Sequence, residues 1–254
     1  MREAPHHAAQ CTSECLYGEV FELNLAYGEP SATNGHWLHV TAQRDGYEGY
    51  IEKKHVNRLS VELSGPTHYV STRSTLVFGN ASIKASVLMR LPFLAKVTVT
   101  AKLDNSLYAL DNGGYIWAQH LHTIDTPIAE NAIAVAHSHF LGAPYLWGGC
   151  SPAGVDCSGL VQALAQSQGI AIPRDSHQQE DALKNDITFS ERQAHDIVYW
   201  PGHTGILVDA QSLLHATAHS LNCLVEPLDD VINRAGKISS IKRLFSDESS
   251  DTTS

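Results

Sequence analysis

The sequence predicts a multidomain chain: two small all-β barrels followed by an α+β domain. Three observations predict it. Short runs of apolar and β-branched residues, separated by turn-formers, fill the first half. At Asp125-Thr126-Pro127 the apolar spacing changes to steps of three and four residues, and beyond residue 196 strand-like runs return. A length of 254 residues leaves room for one large domain or for two to three small ones.

Residues 20–25, 36–41 and 47–52 read as strands, divided by turns at Gly28-Glu29-Pro30, Asn34-Gly35 and Asp45-Gly46. After a linker at Ser64-Gly65-Pro66, residues 69–76, 95–101, 106–111 and 114–118 repeat the scheme, with Asn112-Gly113 as the strongest hairpin signal. Each segment closes on a glycine, an aromatic and a helix-like turn: Gly49-Tyr50-Ile51 before 53–56, and Gly114-Tyr115-Ile116 before 119–121. Ile128, Ala132, Ile133, Val135, Ala136, Phe140 and Leu141 then define one helix, stopped by Gly142. A second helix carries Leu160, Val161 and Leu164 and is stopped by Gly169. Strands follow at 197–200, 204–209, 213–216, 224–226 and 238–244. The expected boundaries are 1–64, 65–125 and 126–245, with a disordered acidic tail at 246–254.

A charged fraction of 17% and an apolar fraction of 43% are ordinary for a globular chain. The net charge of -10 and the lack of a basic stripe argue against a nucleic-acid partner. No apolar run approaches a membrane span and no signal-peptide core opens the chain, so a cytoplasmic protein without a membrane partner is expected. Five cysteines are an odd number in a chain this long, which favours reduced thiols over a disulfide framework. Cys11 and Cys15, with His6 and His7 upstream, allow a zinc site, but a frayed terminus is the expected reading. With no H-E-x-x-H or C-x-x-C motif, neither metal nor cofactor is expected in the chemistry.

The stretch WGGCSPAGVDCSGLVQALAQSQG delivers Cys157 to the first turn of the second helix. There the unpaired N–H groups and the positive end of the helix dipole stabilise a thiolate, so the thiol is expected below its free value of about 8.5. A nucleophile and a small buried hydrophobe are the two readings of that cysteine. A nucleophile needs a base and a group to orient the base. His203 opens one strand and His215 lies in the next, so adjacent antiparallel strands can hold both imidazoles on one face.

Together, PYLWGGCSPAGVDCSGLVQ, PRDSHQQ, DIVYWPGHTGILV and LLHA closely resemble the NlpC/P60 family of papain-like cysteine peptidases. The upstream segments resemble the paired bacterial SH3 (SH3b) domains that precede this domain in dipeptidyl-peptidase type enzymes. The resemblance implies Cys157 as nucleophile, His203 as base, His215 as its orienting group and Tyr145 beside the oxyanion. It implies hydrolysis of the γ-D-glutamyl–diamino acid bond of murein peptides with a free amino-terminal L-alanine, in cell-wall recycling. It further implies an ammonium pocket of Asp156, Asp175 and Ser176, a carboxylate partner in Arg174, and a pocket wall of Glu19 and Tyr47, with Tyr50 able to exchange with Tyr47. Helix capping is the rival role for both aspartates. An amidase or acyltransferase, and a non-catalytic wall-binding module, are the rival functions. Two departures stand out: Cys150 where family members often carry Asn, and His195-Asp196 in place of a Gly-Asp pair.

Overall fold

The computed structural model describes residues 1–24, 35–56 and 65–244. The expected turn at Gly28-Glu29-Pro30, the residues Asn34 and Ser64, and the acidic tail lie outside the described residues.

In the first part, β1 (Phe21–Leu23), β2 (Trp37–Ala42) and β3 (Glu48–Glu52) form an antiparallel sheet in that order. Alternation puts Val40, Ala42 and Ile51 on one face, where they are buried, and Trp37 is buried on the other. The β2–β3 turn is closed by Ala42 N–H donating to Tyr47 O at 2.9 Å and Gly46 N–H donating to Ala42 O at 2.9 Å. A 3₁₀ turn, Lys53–His55, follows where a helix-like turn is expected.

The second part holds eight strands: β4 (His68–Val70), β5 (Ser74–Phe78), β6 (Val87–Pro92), β7 (Lys96–Val97), β8 (Val99–Lys102), β9 (Leu107–Leu110), β10 (Tyr115–Trp117) and β11 (Leu121–Thr123). They make a five-stranded sheet, β6-β5-β10-β9-β8, and a three-stranded one, β11-β4-β7, around Val70, Val77, Val97, Leu110 and Ile116. Asn112-Gly113 makes the expected hairpin, with Gly113 at φ 80. The single strand expected over 69–76 is two strands in two sheets, because the chain turns at Ser71, whose N–H donates to His120 O at 2.9 Å. The run 95–101 divides likewise into β7 and β8. β6 escapes the sequence pattern because its apolar Val87 and Leu88 are both exposed, so nothing alternates.

In the third part, α1 (Ala132–Val135) begins four residues later than the apolar spacing suggests. The Asn131 side chain caps it, accepting from Ala134 N–H at 2.9 Å. It continues as a π turn, Ala136–Phe140. A short hairpin, β12 (Cys150–Ser151) and β13 (Gly154–Val155), leads into α2 (Cys157–Ser167), and α3 (Ser176–Ala182) follows. The main sheet is antiparallel in the order β17-β16-β15-β14-β18, from β14 (Asp196–Trp200), β15 (His203–Leu207), β16 (Ser212–Thr217), β17 (Asn222–Pro227) and β18 (Ser240–Arg243). Ile197, Tyr199, Ile206 and Leu214 pack on α1 and α2. Val198, Leu207 and Leu213 pack on Leu228 and Val231 of a fourth helix, α4 (Leu228–Ala235).

The parts share their interior. Leu16 from the first and Tyr69, Phe93 and Leu94 from the second belong to the same buried cluster as Leu160 and Leu164 of α2. The expectation of a frayed amino terminus is overturned: residues 11–14 run along the third part, with Glu14 N–H donating to Gly148 O at 2.6 Å and the Glu14 carboxylate accepting from Cys150 N–H at 3.0 Å and Ser151 Oγ at 3.1 Å. At the other departure, His195 adopts φ 72, the left-handed backbone that a glycine takes without strain.

Gly18 fixes the first part against the second. Its φ is 77, and an added Cβ would stand 2.1 Å from the Lys96 carbonyl oxygen, while Lys96 N–H donates to Tyr17 O at 2.7 Å. Gly18→Ala should destabilise the chain by about 2 kcal/mol or more, from the left-handed penalty plus the backbone clash. A urea midpoint equal to wild type would contradict this contact.

Candidate active site

Cys157 is the first residue of α2 and is almost wholly buried. Its sulfur accepts from the backbone N–H groups of Ser158 and Thr204, which sets the thiol against the start of β15, at the residue that follows His203 in the chain. Burial, reinforced by the Asp156 charge, pushes the thiol up to about 11. This corrects the expected lowering: the helix end and the two N–H groups work toward the thiolate, but desolvation outweighs them. The resting group is a thiol, so a base is required.

His203, His215 and a carboxylate that the sequence reading missed, Glu226, step diagonally across β15, β16 and β17. His203 Nε2 lies 2.7 Å from His215 Nδ1, and His215 Nε2 lies 2.7 Å from Glu226 Oε2. His215 pairs directly with Leu224, two residues from Glu226, so the long carboxylate side chain reaches it on the same face. Arg234 of α4 donates to Glu226 Oε2 at 2.6 Å. The signal for Glu226 was its even spacing from Leu224 on the strand after LLHA, legible only once the register was known.

Gly205 makes room for this row. A Cβ there would stand 2.8 Å from His215 Cβ and 3.0 Å from Leu214 O. Burial lowers His203 to about 4, with further lowering from His215 and Arg234, and burial also lowers His215 against the pull of Glu226. Both imidazoles therefore rest neutral near pH 7.

Asp156 caps α2: Oδ1 accepts from Gly159 N–H at 2.7 Å, and Oδ2 accepts from Gly148 N–H at 2.8 Å. Arg174 grips it in two bonds, Nη1 to Oδ1 at 3.0 Å and Nη2 to Oδ2 at 2.7 Å. Arg174 also donates to Ser158 Oγ at 2.9 Å, to Gly149 O at 3.3 Å, and through Nε to Ser13 Oγ at 3.2 Å. With 1% of its surface accessible and all five N–H groups engaged, Arg174 has none left for a substrate carboxylate, and that expectation is corrected. Of the two roles open to Asp156, the cap is the one its hydrogen bonds display.

Asp175 precedes α3, and among the described residues its carboxylate makes no capping bond to that helix. It faces the Tyr47 phenol instead, whose pKa is raised by burial and then by the Asp175 charge. Ser176, half-buried, opens α3 beside it. Tyr50 lies tilted against His39 with ring centroids 4.8 Å apart, so Tyr47 is the tyrosine brought to the site. Tyr145 is half-buried near Cys157, its phenol pushed up to about 12 by burial and by the Cys157 and Asp156 charges.

Glu19 is not open to a ligand. It is buried in an ion pair with Arg44, and Leu16 N–H donates to it at 3.0 Å. Burial raises its pKa, with Arg44 opposing. Arg44 in turn donates to Asp45 Oδ2 at 3.1 Å and to Cys150 Sγ at 3.7 Å, and Asp45 Oδ2 accepts from Gln162 of α2 at 2.8 Å. The single loop 43–47 thus supplies Arg44, Asp45 and Tyr47 to the junction. The Cys150 thiol, pushed up to about 12 by burial, is enclosed in this seam. Among the described residues, no cluster of three His, Cys, Asp or Glu side chains is placed to hold a metal.

Two outcomes follow from this geometry. Gly205→Ala should displace His215 and cost about 1–3 kcal/mol of overpacking, measured by chemical denaturation. His203 and His215 titrate lower folded than unfolded, where about 6.5 is usual. The unfolded chain therefore binds more protons below pH 6.5, and the stabilisation, complete above that pH, drains away as pH falls toward about 4. Denaturation midpoints should drop between pH 7 and pH 5, and drop less in His203→Gln; an equal drop in both would contradict the His203 assignment.

Residues 142–235 match the model of the NlpC/P60 family, and residues 1–56 match that of the bacterial dipeptidyl-peptidase Sh3 domain. The chain is similar to dipeptidyl-peptidase 6 of Lysinibacillus sphaericus, 26% identical over 248 residues, which are 89% of this chain and 87% of that protein. It is similar to the gamma-D-glutamyl-L-lysine dipeptidyl-peptidase of Bacillus subtilis (strain 168), 25% identical over 256 residues, 90% of this chain and 82% of that protein. Its fold is like that of an NlpC/P60 family protein from Bacillus cereus ATCC 10987, with a TM-score of 0.74 at 20% identity, over 91% of this chain and 81% of that one. A buried cysteine on a helix N-terminus, a histidine pair on the adjoining strands and these matches lead to one conclusion: the chain is a cysteine peptidase that carries an NlpC/P60 domain over residues 142–235 and a bacterial dipeptidyl-peptidase SH3 domain at its amino-terminal end.

Proposed function

We propose that the protein is an endopeptidase that cleaves the γ-D-glutamyl–diamino acid bond of murein peptides whose amino-terminal L-alanine is free. The observation that carries this reading is the meeting of Tyr47, from the first β part, with Asp175 of the catalytic part, close to the helix that bears Cys157. In this reading the first part closes the substrate path at that end, so that only a short stub is accepted beyond the scissile bond. A carboxylate and a phenol are the groups that hold a stub ending in an ammonium. Asp156 is neutralised by Arg174, so Asp175 is the carboxylate left to take that charge, with Ser176 beside it.

In this reading His203 takes the Cys157 proton and the sulfur attacks the D-glutamyl γ-carbonyl carbon. The resulting oxyanion is met by the Cys157 N–H and the Tyr145 hydroxyl. As the tetrahedral intermediate collapses, the C–N bond breaks and His203 returns the proton to the departing amine. Water, deprotonated by His203, then hydrolyses the thioester and frees L-alanyl-D-glutamate.

We extend the proposal to the architecture and setting. Residues 1–64 and 65–125 form two SH3-like barrels and 126–245 the papain-like catalytic domain, a division supported by the separate core of the second part. Five free thiols support work in a reducing compartment, hence cytoplasmic recycling of wall peptides. No helix among the described residues is long and apolar enough to cross a membrane.

The test is mass spectrometry of L-alanyl-γ-D-glutamyl-diaminopimelate incubated with the protein. Wild type should release the dipeptide, Cys157→Ala should release none, and acetylation of the peptide's amino end should lower turnover about 100-fold or more, as loss of a buried charged contact does. Equal cleavage of free and acetylated peptide would remove the ammonium pocket, and transfer of the acyl group to an added amine in preference to water would make the protein an acyltransferase.

A further inference from the structure

We propose that Glu226, held by Arg234, is the positioning residue that fixes the protonation pattern of the histidine pair; this rests on His203 being the base. Each neutral imidazole carries one proton on two nitrogens, so the row His203–His215–Glu226 can be wired in two ways. In one, His203 Nε2–H donates to His215 Nδ1 and His215 Nε2–H donates to Glu226. His203 Nδ1 is then a free lone pair for the Cys157 proton. In the other, His215 Nδ1–H donates to His203 Nε2, and His203 carries its proton on Nδ1, where it cannot accept another.

The two histidines alone do not choose between these patterns, since their 2.7 Å contact serves either. The carboxylate chooses. In the second pattern the bare Nε2 of His215 would face Glu226 Oε2 at 2.7 Å, lone pair against anion. Protonating the carboxylate would relieve that clash, but Arg234 prevents it. Its Nη2 donates to the same Oε2 at 2.6 Å and its Nη1 reaches Oε1 at 3.3 Å, and the two hydrogen-bonded neighbours, Arg234 and His215, hold the Glu226 pKa below its usual value against the opposing effect of burial. Only the first pattern satisfies every atom. Arg234 reaches the carboxylate because α4 follows β17 directly, bringing the guanidinium back over the strand eight residues on.

The same geometry separates two substitutions. In Glu226→Gln, an amide oxygen at the Oε2 position still accepts from His215 and from Arg234 Nη2, and the amide NH₂, set at the Oε1 position, gives up only the longer 3.3 Å contact with Arg234 Nη1. Glu226→Leu keeps the bulk and removes the acceptor. Imidazole ¹⁵N NMR of the full chain at pH 7.5, with His203 and His215 assigned by substitution, should find both as Nε2–H tautomers in wild type and in Glu226→Gln, and His203 mixed in Glu226→Leu. With the murein tripeptide, kcat should fall about 10- to 100-fold in Glu226→Leu and stay within about threefold in Glu226→Gln, with KM little changed in either. A wild-type His203 protonated on Nδ1, or a Glu226→Leu protein with unchanged tautomers and unchanged kcat, would overturn the proposal. The NMR result needs no substrate, so it stands or falls separately from the peptidase reading.

Discussion

The bidentate pair between Arg174 and Asp156 is the contact on which the site depends. Asp156 ends the glycine-rich turn and caps the helix that presents Cys157, while Arg174 binds the Gly149 carbonyl of the same turn and Ser13 of the amino-terminal strip. A buried ion pair of this kind adds little net stability, because desolvating both charges offsets their attraction. Its value is geometric. Removing either partner would strand the other charge without water, a penalty of about 3–5 kcal/mol, so the turn, the helix end and the strip keep one mutual arrangement.

Around that pair, polar groups occupy a seam where apolar packing would otherwise be expected. Arg44, Glu19, Asp45 and Gln162 bind one another, Glu14 binds the Cys150 backbone and Ser151 across the seam, and the apolar contacts of Leu16, Tyr69 and Phe93 flank them. Hydrogen bonds specify distance and angle where apolar contacts specify only proximity. A seam of this composition therefore sets Tyr47 against Asp175 more sharply than an oily interface would.

Much of this was legible in the sequence because the relevant signals are local. Asp156-Cys157 at a helix start, His203 after a Pro-Gly turn and the Asn112-Gly113 hairpin each declare themselves within a few residues. What escaped depends on register and burial. Glu226 enters the row only through the pairing of β16 with β17, and Arg174 looks like a free cation until its five donors are traced. The thiol pKa went the other way from the helix-end argument because that argument contains no desolvation, which only packing reveals. The strand at 69–76 divided because a long-range backbone bond, from Ser71 N–H to His120 O, overrode its uniform β character.

The shared interior also bears on how such a chain is put together. Leu16, Tyr69, Phe93 and Leu94 reach into the cluster that holds α1, α2 and the main sheet. The catalytic part is consequently not a portable module: cut free after residue 125, it would carry an oily hollow shaped for residues left on the other fragments. A recombined catalytic half would need a partner whose loop and amino-terminal strip fit that hollow.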